Sequence, residues 1–212
     1  ISILGEKATI GAPSVIFGTK CPSMTSKCIH CAHDSSSCST AFFVSLKSMD
    51  KIELNRVIPE IFASRTDISS DIWRKNISFE RGKSYLIHAV SGTGKSSLCS
   101  YLYGQRGDYR GDILFDGANI ATYSTNRWSE MRQTEISILF QDLRLFGELT
   151  AMENVWIKNS ITNYKSKEEI EQLFEVLGIG DKLNARIDRM SFGQQQRVAL
   201  IRSLCQPFSF ML

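Results

Sequence analysis

The sequence predicts an α/β fold, and three observations support that class. A short apolar segment beginning at Ser84 leads into a loop of small residues and then into an amphipathic helix. The segment 135–141 is nearly continuous in apolar residues, as in a strand buried on both faces of a parallel sheet. Helical periodicity follows in 166–177 and after Ser191. The 212 residues, 42% of them hydrophobic, suit one α/β domain, alone or with an appendage.

The small-residue loop has the composition of a phosphate-binding Walker A loop. Its amides can wrap a polyphosphate, and the following helix offers unpaired N–H groups and a positive dipole end. Lys95 would reach the β- and γ-phosphates of ATP, and the Ser96 hydroxyl would ligate Mg²⁺. Ala89 stands where the pattern has its first glycine. The alternative is a plain strand-to-helix turn; the candidate ligands are Ser91, Gly92, Thr93, Gly94, Lys95, Ser96 and Ser97.

Composition and charge indicate whether nucleic acid or a membrane is an expected binding partner. The formal net charge of +3 and the scattered Lys and Arg give no reason to expect nucleic acid. Apolar runs such as 41–46 fall short of the roughly 20 residues that span a bilayer. A membrane association would therefore need a partner. Ile1 and Leu212 both look like interrupted ends.

Residues 1–48 are rich in Ser, Thr and Cys and show no clear period, so we expect an extension rather than a domain. Met49 is the expected native initiator. The nucleotide-binding remainder implies a reducing cytosol and hence free thiols. The alternative for this segment is a tetrahedral zinc-binding site. The cysteine spacing C-x6-C-x2-C-x6-C, with two intervening histidines, is compatible with such a site. The candidate ligands are Cys21, Cys28, Cys31, Cys38, His30 and His33.

Elements before and just after the loop are short. The pattern predicts a strand over 52–58, a strand and turn over 76–82 and a short strand ending in a turn over 111–117, with an irregular link over 62–71. The helix after the loop carries Leu98, Tyr101 and Leu102 at helical spacing, and Gly104 can end it in a left-handed conformation.

Helices dominate the second half. Capping boxes are predicted at Thr150 and at Ser166, the latter before the stripe Ile170, Leu173, Phe174 and Leu177. Ser191 opens a further helix, with Val198, Ile201 and Cys205 on one face, that Pro207 ends. Residues 208–212 then read as a buried strand.

Taken together, these motifs resemble those of the ATP-binding subunits of ABC transporters. The resemblance lies in the loop 91–97, Gln141 within Leu-Phe-Gln-Asp-Leu-Arg-Leu-Phe, Glu153-Asn-Val, and Met190-Ser-Phe-Gly-Gln-Gln-Gln-Arg-Val. Lys95 and Ser191 are 191 − 95 = 96 positions apart, which is similar to compact cassettes of that family. The resemblance implies a P-loop NTPase over 49–212 that is incomplete at its C-terminus. It would have a RecA-like core, an antiparallel β subdomain and a helical subdomain at roughly 142–190.

The resemblance also assigns roles at the site. Two cassettes would pair head to tail and sandwich each ATP between one phosphate loop and the partner copy's signature helix, which begins with Ser191, Gly193 and Gln194. Gln141 would contact Mg²⁺ and the attacking water. Phe62, 95 − 62 = 33 positions before the lysine, would stack on adenine, unless it is simply a buried linker residue. Phe192 replaces a glycine at a position that looks variable in the family.

The family's catalytic acidic residues are expected directly after the strand 208–212. Since the sequence ends at Leu212, this polypeptide is expected to hydrolyse ATP poorly or not at all, whereas a longer parent protein would hydrolyse it.

By resemblance, the expected function is to couple ATP binding and hydrolysis to transport across a membrane. Separate permease subunits would dock around 144–156, and the partner cassette would be an identical or paired ATP-binding subunit. The protein would be cytoplasmic and peripheral on the inner face of the cell membrane. The residue sequences of these motifs are similar to those of lipoprotein-releasing and macrolide-exporting cassettes, which favours export as the direction of transport. The alternatives are a non-transport ABC ATPase or a small-molecule kinase with the same loop.

Overall fold

A computed structural model describes residues 2–4 and 48–212. Along the chain its strands and helices are β1 Ser2–Leu4, β2 Lys51–Pro59, β3 Asn76–Glu80, β4 Leu86–His88, α1 Lys95–Leu102, β5 Tyr109–Phe115, β6 Ala118–Asn119, α2 Thr125–Thr134, β7 Ile136–Ser137, α3 Ala151–Asn159, α4 Lys167–Val176, α5 Phe192–Leu204 and β8 Phe210–Met211. Short 3-10 helices lie at Glu60–Phe62, Ile120–Thr122, Gly180–Lys182 and Ile187–Arg189.

One antiparallel sheet has the strand order β3-β2-β5-β6. Its strands β2 and β3 come before the phosphate loop in the sequence, and β5 and β6 come after it. In β2, Ile52 and Leu54 alternate toward the core as a strand with one buried face requires. The register between β2 and β5 shifts between Asn55 and Ile58, and Arg56 there has φ 52°. Gly111 fits against this bulge because any Cβ would lie 2.5 Å from the Asn55 carbonyl oxygen.

Two further strand pairs lie outside that sheet. β7 pairs with β8 in parallel, which confirms a parallel element at 136 and 210. The prediction of one continuous strand over 135–141 was wrong: pairing covers only Ile136 and Ser137, and residues 138–140 are half-buried. They leave the ladder because the chain turns into the loop that carries Gln141. The Leu139 amide keeps one bond, to the Leu212 carbonyl at 2.9 Å.

β4, which enters the phosphate loop, pairs antiparallel with Ser2–Leu4. This short strand falls within the segment 1–48 that was expected to form no domain. The cysteines and histidines proposed as zinc ligands lie outside the described residues.

Two hydrophobic cores support the site. The first joins the antiparallel sheet to α1, α2 and β7 and includes Trp73, Leu98 and Tyr101. The second joins α3, α4 and α5 and includes Val155, Phe174 and Ile201. The loop that carries Gln141 runs between elements of both cores.

Sequence-predicted helix starts are confirmed. Capping boxes begin α3 at Thr150, α4 at Ser166 and α5 at Ser191. Gly104 follows α1 with φ 67°, as expected for a left-handed helix end. α2 was not predicted; it begins at the cap Ser124. Across the part of the chain that is described, no helix combines the length and apolarity needed to cross a membrane.

Candidate nucleotide-binding site

The phosphate loop forms an open turn between β4 and α1. Gly92 and Gly94 have φ 81° and 99°, a backbone region that side-chain-bearing residues rarely adopt. Thr93 Oγ1 donates to the Val90 carbonyl at 2.7 Å, and Lys95 Nζ donates to the carbonyls of Ala89 and Val90. The lysine therefore spans its own loop, with its ammonium placed at the loop's centre.

The start of α1 differs from the starts of the four other α-helices described. In those helices a backbone amide of the first turn donates to a serine or threonine side chain at the cap, whereas α1 has Gly94 there and no side-chain cap. Its first amides are consequently left for another acceptor. Together with the helix dipole, they suit a phosphate group. Ser96 on the first turn is exposed.

Trp73 and Phe62 brace the loop from behind. The Trp73 indole Nε1 donates to the Thr93 carbonyl at 3.0 Å, and the ring is buried. A Cβ added at Gly94 would lie 2.9 Å from Trp73 Cζ2 and 3.4 Å from Phe62 Cε2. Phe62, half-buried, also carries the Arg65 guanidinium 5.5 Å from its ring centroid. The predicted adenine contact of Phe62 thus lies beside the phosphate loop, and stacking on adenine stays a prediction.

Gln141 lies at the start of a surface loop, residues 141–149, which we call the Q-loop. The side chain is exposed, and the loop and α5 enclose a groove of about 500 Å³. Gly193 and Arg197 of α5 line the same groove. The structure therefore brings Gln141 close to the helix that begins at Ser191, and its contact with Mg²⁺ stays a prediction.

The tip of α5 is a complete capping box. Ser191 Oγ accepts from the Gln194 amide at 3.3 Å, and Gln194 Oε1 accepts from the Ser191 amide at 2.9 Å. Since the serine oxygen acts here as an acceptor, its proton is available to a phosphate oxygen. Gly193 faces open space, and Phe192 is 63% exposed beside it.

The two halves of the predicted ATP site do not meet within this chain. Among the described residues, no hydrogen bond or ion pair joins the loop 91–97 to residues 191–194. An ATP held by both would need a second copy, and that pairing stays a prediction.

Reasoning from the sequence missed three contributors. Trp73 lies 20 residues before the carbonyl that it holds, and no motif marks it. Arg106 reaches Ser97 Oγ at 3.3 Å from the far end of α1. Arg202 donates to Q-loop carbonyls across 58 and 59 residues. Each acts through a tertiary contact that spacing does not reveal.

The residues present fit a magnesium–triphosphate group. Mg²⁺ in such sites takes few protein ligands and completes its octahedron with phosphate oxygens and water, so the exposed Ser96 hydroxyl at the helix start is suited to serve as one of its ligands. Nothing lies within 4 Å of a Cβ built at Gly92, so the approach to the loop is open.

Fold and loop define a P-loop nucleotide-binding protein of mixed α/β architecture. The family model described as ABC transporter matches residues 74–212. This chain belongs to the ABC transporter family of ATP-binding domains.

Named relatives agree with this assignment. An uncharacterized ABC transporter ATP-binding protein of Thermotoga maritima is 34% identical over 143 residues, covering 65% of this chain and 61% of its own length. YclH, an uncharacterized ABC transporter ATP-binding protein of Bacillus subtilis, is 35% identical, covering 61% of this chain and 58% of its own length. The chain thus spans about three fifths of the length of these two relatives. The lipoprotein-releasing system ATP-binding protein LolD 1 of Chlorobium chlorochromatii is 31% identical, covering 76% of this chain and 67% of its own length.

Solved structures support the fold. The structure of cbiO1 from Clostridium perfringens, part of the ABC transporter complex cbiONQ, aligns with TM-score 0.56 and 24% identity over 74% of this chain and 62% of that one. The dimeric structure of MJ0796, a bacterial ABC transporter cassette, aligns with TM-score 0.52 and 23% identity over 73% and 69%.

Proposed function

We propose that this chain is an ATP-binding subunit that couples ATP binding and hydrolysis to transport across a membrane through separate permease subunits. One observation carries the proposal: a single chain holds both an uncapped helix start behind a left-handed glycine loop and a serine-capped helix tip exposed to solvent. A small-molecule kinase would need the first and has no use for the second. We also propose that 49–212 forms the ATP-binding domain, with its helical subdomain at roughly 142–190.

Each loop residue has a separate task toward Mg·ATP. Amides of 92–97 and the α1 dipole would hold the phosphates, and the Lys95 ammonium would exchange its carbonyl partners for β- and γ-phosphate oxygens. Ser96 would ligate Mg²⁺, and the Gln141 amide would orient the attacking water without itself transferring a proton.

A second cassette, identical or paired, would complete the site. Its Ser191 hydroxyl, Gly193 amide and Gln194 side chain would face the γ-phosphate held by the first copy. Because that terminal charge exists only while ATP is intact, binding would close the pair and hydrolysis would release it.

The docking surface for the permease is proposed on the Q-loop and α3. Phe146 is 56% exposed and Trp156 is 43% exposed, an unusual amount of aromatic surface on a short segment. Arg144 and Lys158 each lie two positions from one of these aromatics in the sequence, Arg144 in an ion pair with Asp142. A membrane subunit docked here would keep the protein in the cytoplasm, peripheral on the inner face of the cell membrane.

Affinity purification from detergent-solubilised membranes of the native host tests the proposal. Wild-type chain should retain integral membrane subunits, whereas Phe146→Asp should lose them. Val176→Asp is the matched control because Val176 is 61% exposed on α4, away from the Q-loop. Equal retention by all three proteins, or a wild-type complex without any membrane subunit, would contradict transport through a permease.

A further inference from the structure

The middle of the Q-loop adopts a backbone conformation that its residues do not favour. Leu143 and Arg144 have φ 57° and 49°, so two consecutive residues with bulky side chains lie in the left-handed region. Glycine and asparagine tolerate this region, whereas a Cβ with a long side chain crowds the neighbouring carbonyl. Residue preference alone therefore does not account for this turn, so contacts of its backbone must help to hold it.

Arg202 supplies that hold. Its guanidinium donates one bond to the Arg144 carbonyl at 2.6 Å and a second to the Leu143 carbonyl. The planar fork of arginine matches two adjacent carbonyls, and charge-assisted bonds of this kind are the strong ones. Arg202 is half-buried, and this burial lowers its pKa; the bond to the Leu143 carbonyl is part-buried, whereas the bond to the Arg144 carbonyl is exposed.

The other contacts of the turn do not involve the carbonyls of Leu143 and Arg144. Within the turn, the Arg144 amide donates to the Asp142 carbonyl at 2.6 Å, and the Arg144 guanidinium pairs with the Asp142 carboxylate at 3.2 Å and lies over the Phe140 ring. The Leu143 amide donates to the Phe140 carbonyl at 3.0 Å on the Gln141 side. On the far side, the Asn154 side chain accepts from the Phe146 amide at 2.8 Å and donates to its carbonyl at 3.0 Å. None of these contacts fixes the carbonyls of the two left-handed residues.

We propose that Arg202 is the positioning residue for Gln141, holding the Q-loop in its left-handed turn by its two bonds to the Leu143 and Arg144 carbonyls. Arg202 and Ser191 lie on one helix, about 16 Å apart along its axis. A displacement of the Ser191 tip would consequently be transmitted to the Q-loop through a rigid element. We call the two bonds from Arg202 to the Leu143 and Arg144 carbonyls the latch. The latch is inferred from these contacts alone, whereas its effect on Gln141 rests on the proposed function.

Trypsin can report on the latch in the full chain, because one of the two carbonyls that Arg202 holds belongs to the scissile bond after Arg144. Arg202→Gln should raise the rate of cleavage after Arg144 about tenfold relative to wild type. Arg189→Gln is the control, since Arg189 is an exposed arginine in the adjacent 3-10 helix. Cleavage after Arg127 in α2 serves as the internal reference for global opening.

Arg202→Lys covers the case in which the glutamine variant does not fold. It keeps the charge and the aliphatic stem but loses the fork, so cleavage after Arg144 should be intermediate, with a smaller loss of melting temperature than in Arg202→Gln. Cleavage after Arg144 at the wild-type rate in a folded Arg202 variant would overturn the latch.

A nucleotide readout separates the latch from the function of Gln141. With Mg²⁺, Arg202→Lys and Gln141→Ala should weaken ATP binding by a similar factor, and the double variant should be no weaker than Gln141→Ala. Without Mg²⁺, neither should change ATP binding. Faster cleavage with unaltered Mg·ATP affinity would keep the latch but refute the proposed role of Gln141; no ATP binding by wild type would refute the proposed function.

Discussion

Gly94 is the residue whose replacement tests the shape of the phosphate loop. Gly94→Ala places a Cβ at φ 99° and 2.9 Å from Trp73 Cζ2, so it adds a clash to a backbone penalty. We expect the free energy of unfolding to fall by about 2–3 kcal/mol, measured by urea denaturation.

Gly92→Ala is the matched control for that substitution. Gly92 has φ 81°, but nothing lies within 4 Å of its Cβ position, so only the backbone penalty of about 1–2 kcal/mol applies. Equal losses for the two variants would show that Trp73 does not limit the space at Gly94.

Lys158 is a half-buried cation close to a second cation, Arg202. Burial lowers the pKa of Lys158, and the charge of Arg202 lowers it further. Since the folded-state pKa lies below the ordinary value of 10.5, the ammonium costs stability at neutral pH, and stability rises as pH climbs toward 10.5. Lys158→Met should therefore stabilise the protein at pH 7, with a gain that shrinks at pH 10. Urea unfolding at both pH values measures it; an equal gain at both, or a loss at pH 7, would refute this account.

At the scale of elements, two serine caps allow stability and function to be separated. Ser166→Ala and Ser191→Ala each remove a capping box, so both should cost roughly 1 kcal/mol of stability. Only Ser191→Ala should also abolish ATP-dependent pairing of cassettes, measured by light scattering with and without Mg·ATP. Loss of pairing in both variants, or in neither, would contradict a direct role for Ser191.

Helices were predictable from sequence where caps and periodicity coincided. Ser166 with Glu169, followed by Ile170 and Phe174, gives a start signal and a buried stripe in the same short segment. In contrast, α2 buries only Met131 along its length, so its periodicity is weak despite the Ser124 cap.

Strand extent was less predictable than helix extent. The segment 135–141 has the composition of a buried strand, yet pairing stops after Ser137. Strand pairing is decided by the neighbouring strand and not by the segment's own residues, so the sequence cannot fix where it ends.

At the scale of the whole molecule, the motifs predicted the site's ligands but not the contacts that support them. Trp73 behind the loop and Arg202 beneath the Q-loop act across 20 and 58 residues of sequence, and their partners are backbone carbonyls, which leave no side-chain pattern. The motifs mark the surface that meets the ligand. The supporting contacts appear only once two cores bring distant segments together.

The central claim is tested most directly by calorimetry, which measures the equilibrium binding of ATP with Mg²⁺ to the full chain and to Lys95→Ala. Wild type should bind, and Lys95→Ala should bind at least about tenfold more weakly because it removes a charge-assisted hydrogen bond to phosphate. Lys182→Ala, a half-buried lysine paired with Asp181 far from the loop in sequence, should bind as wild type does. No binding by wild type, or equal binding by Lys95→Ala, would contradict a nucleotide site at residues 91–97.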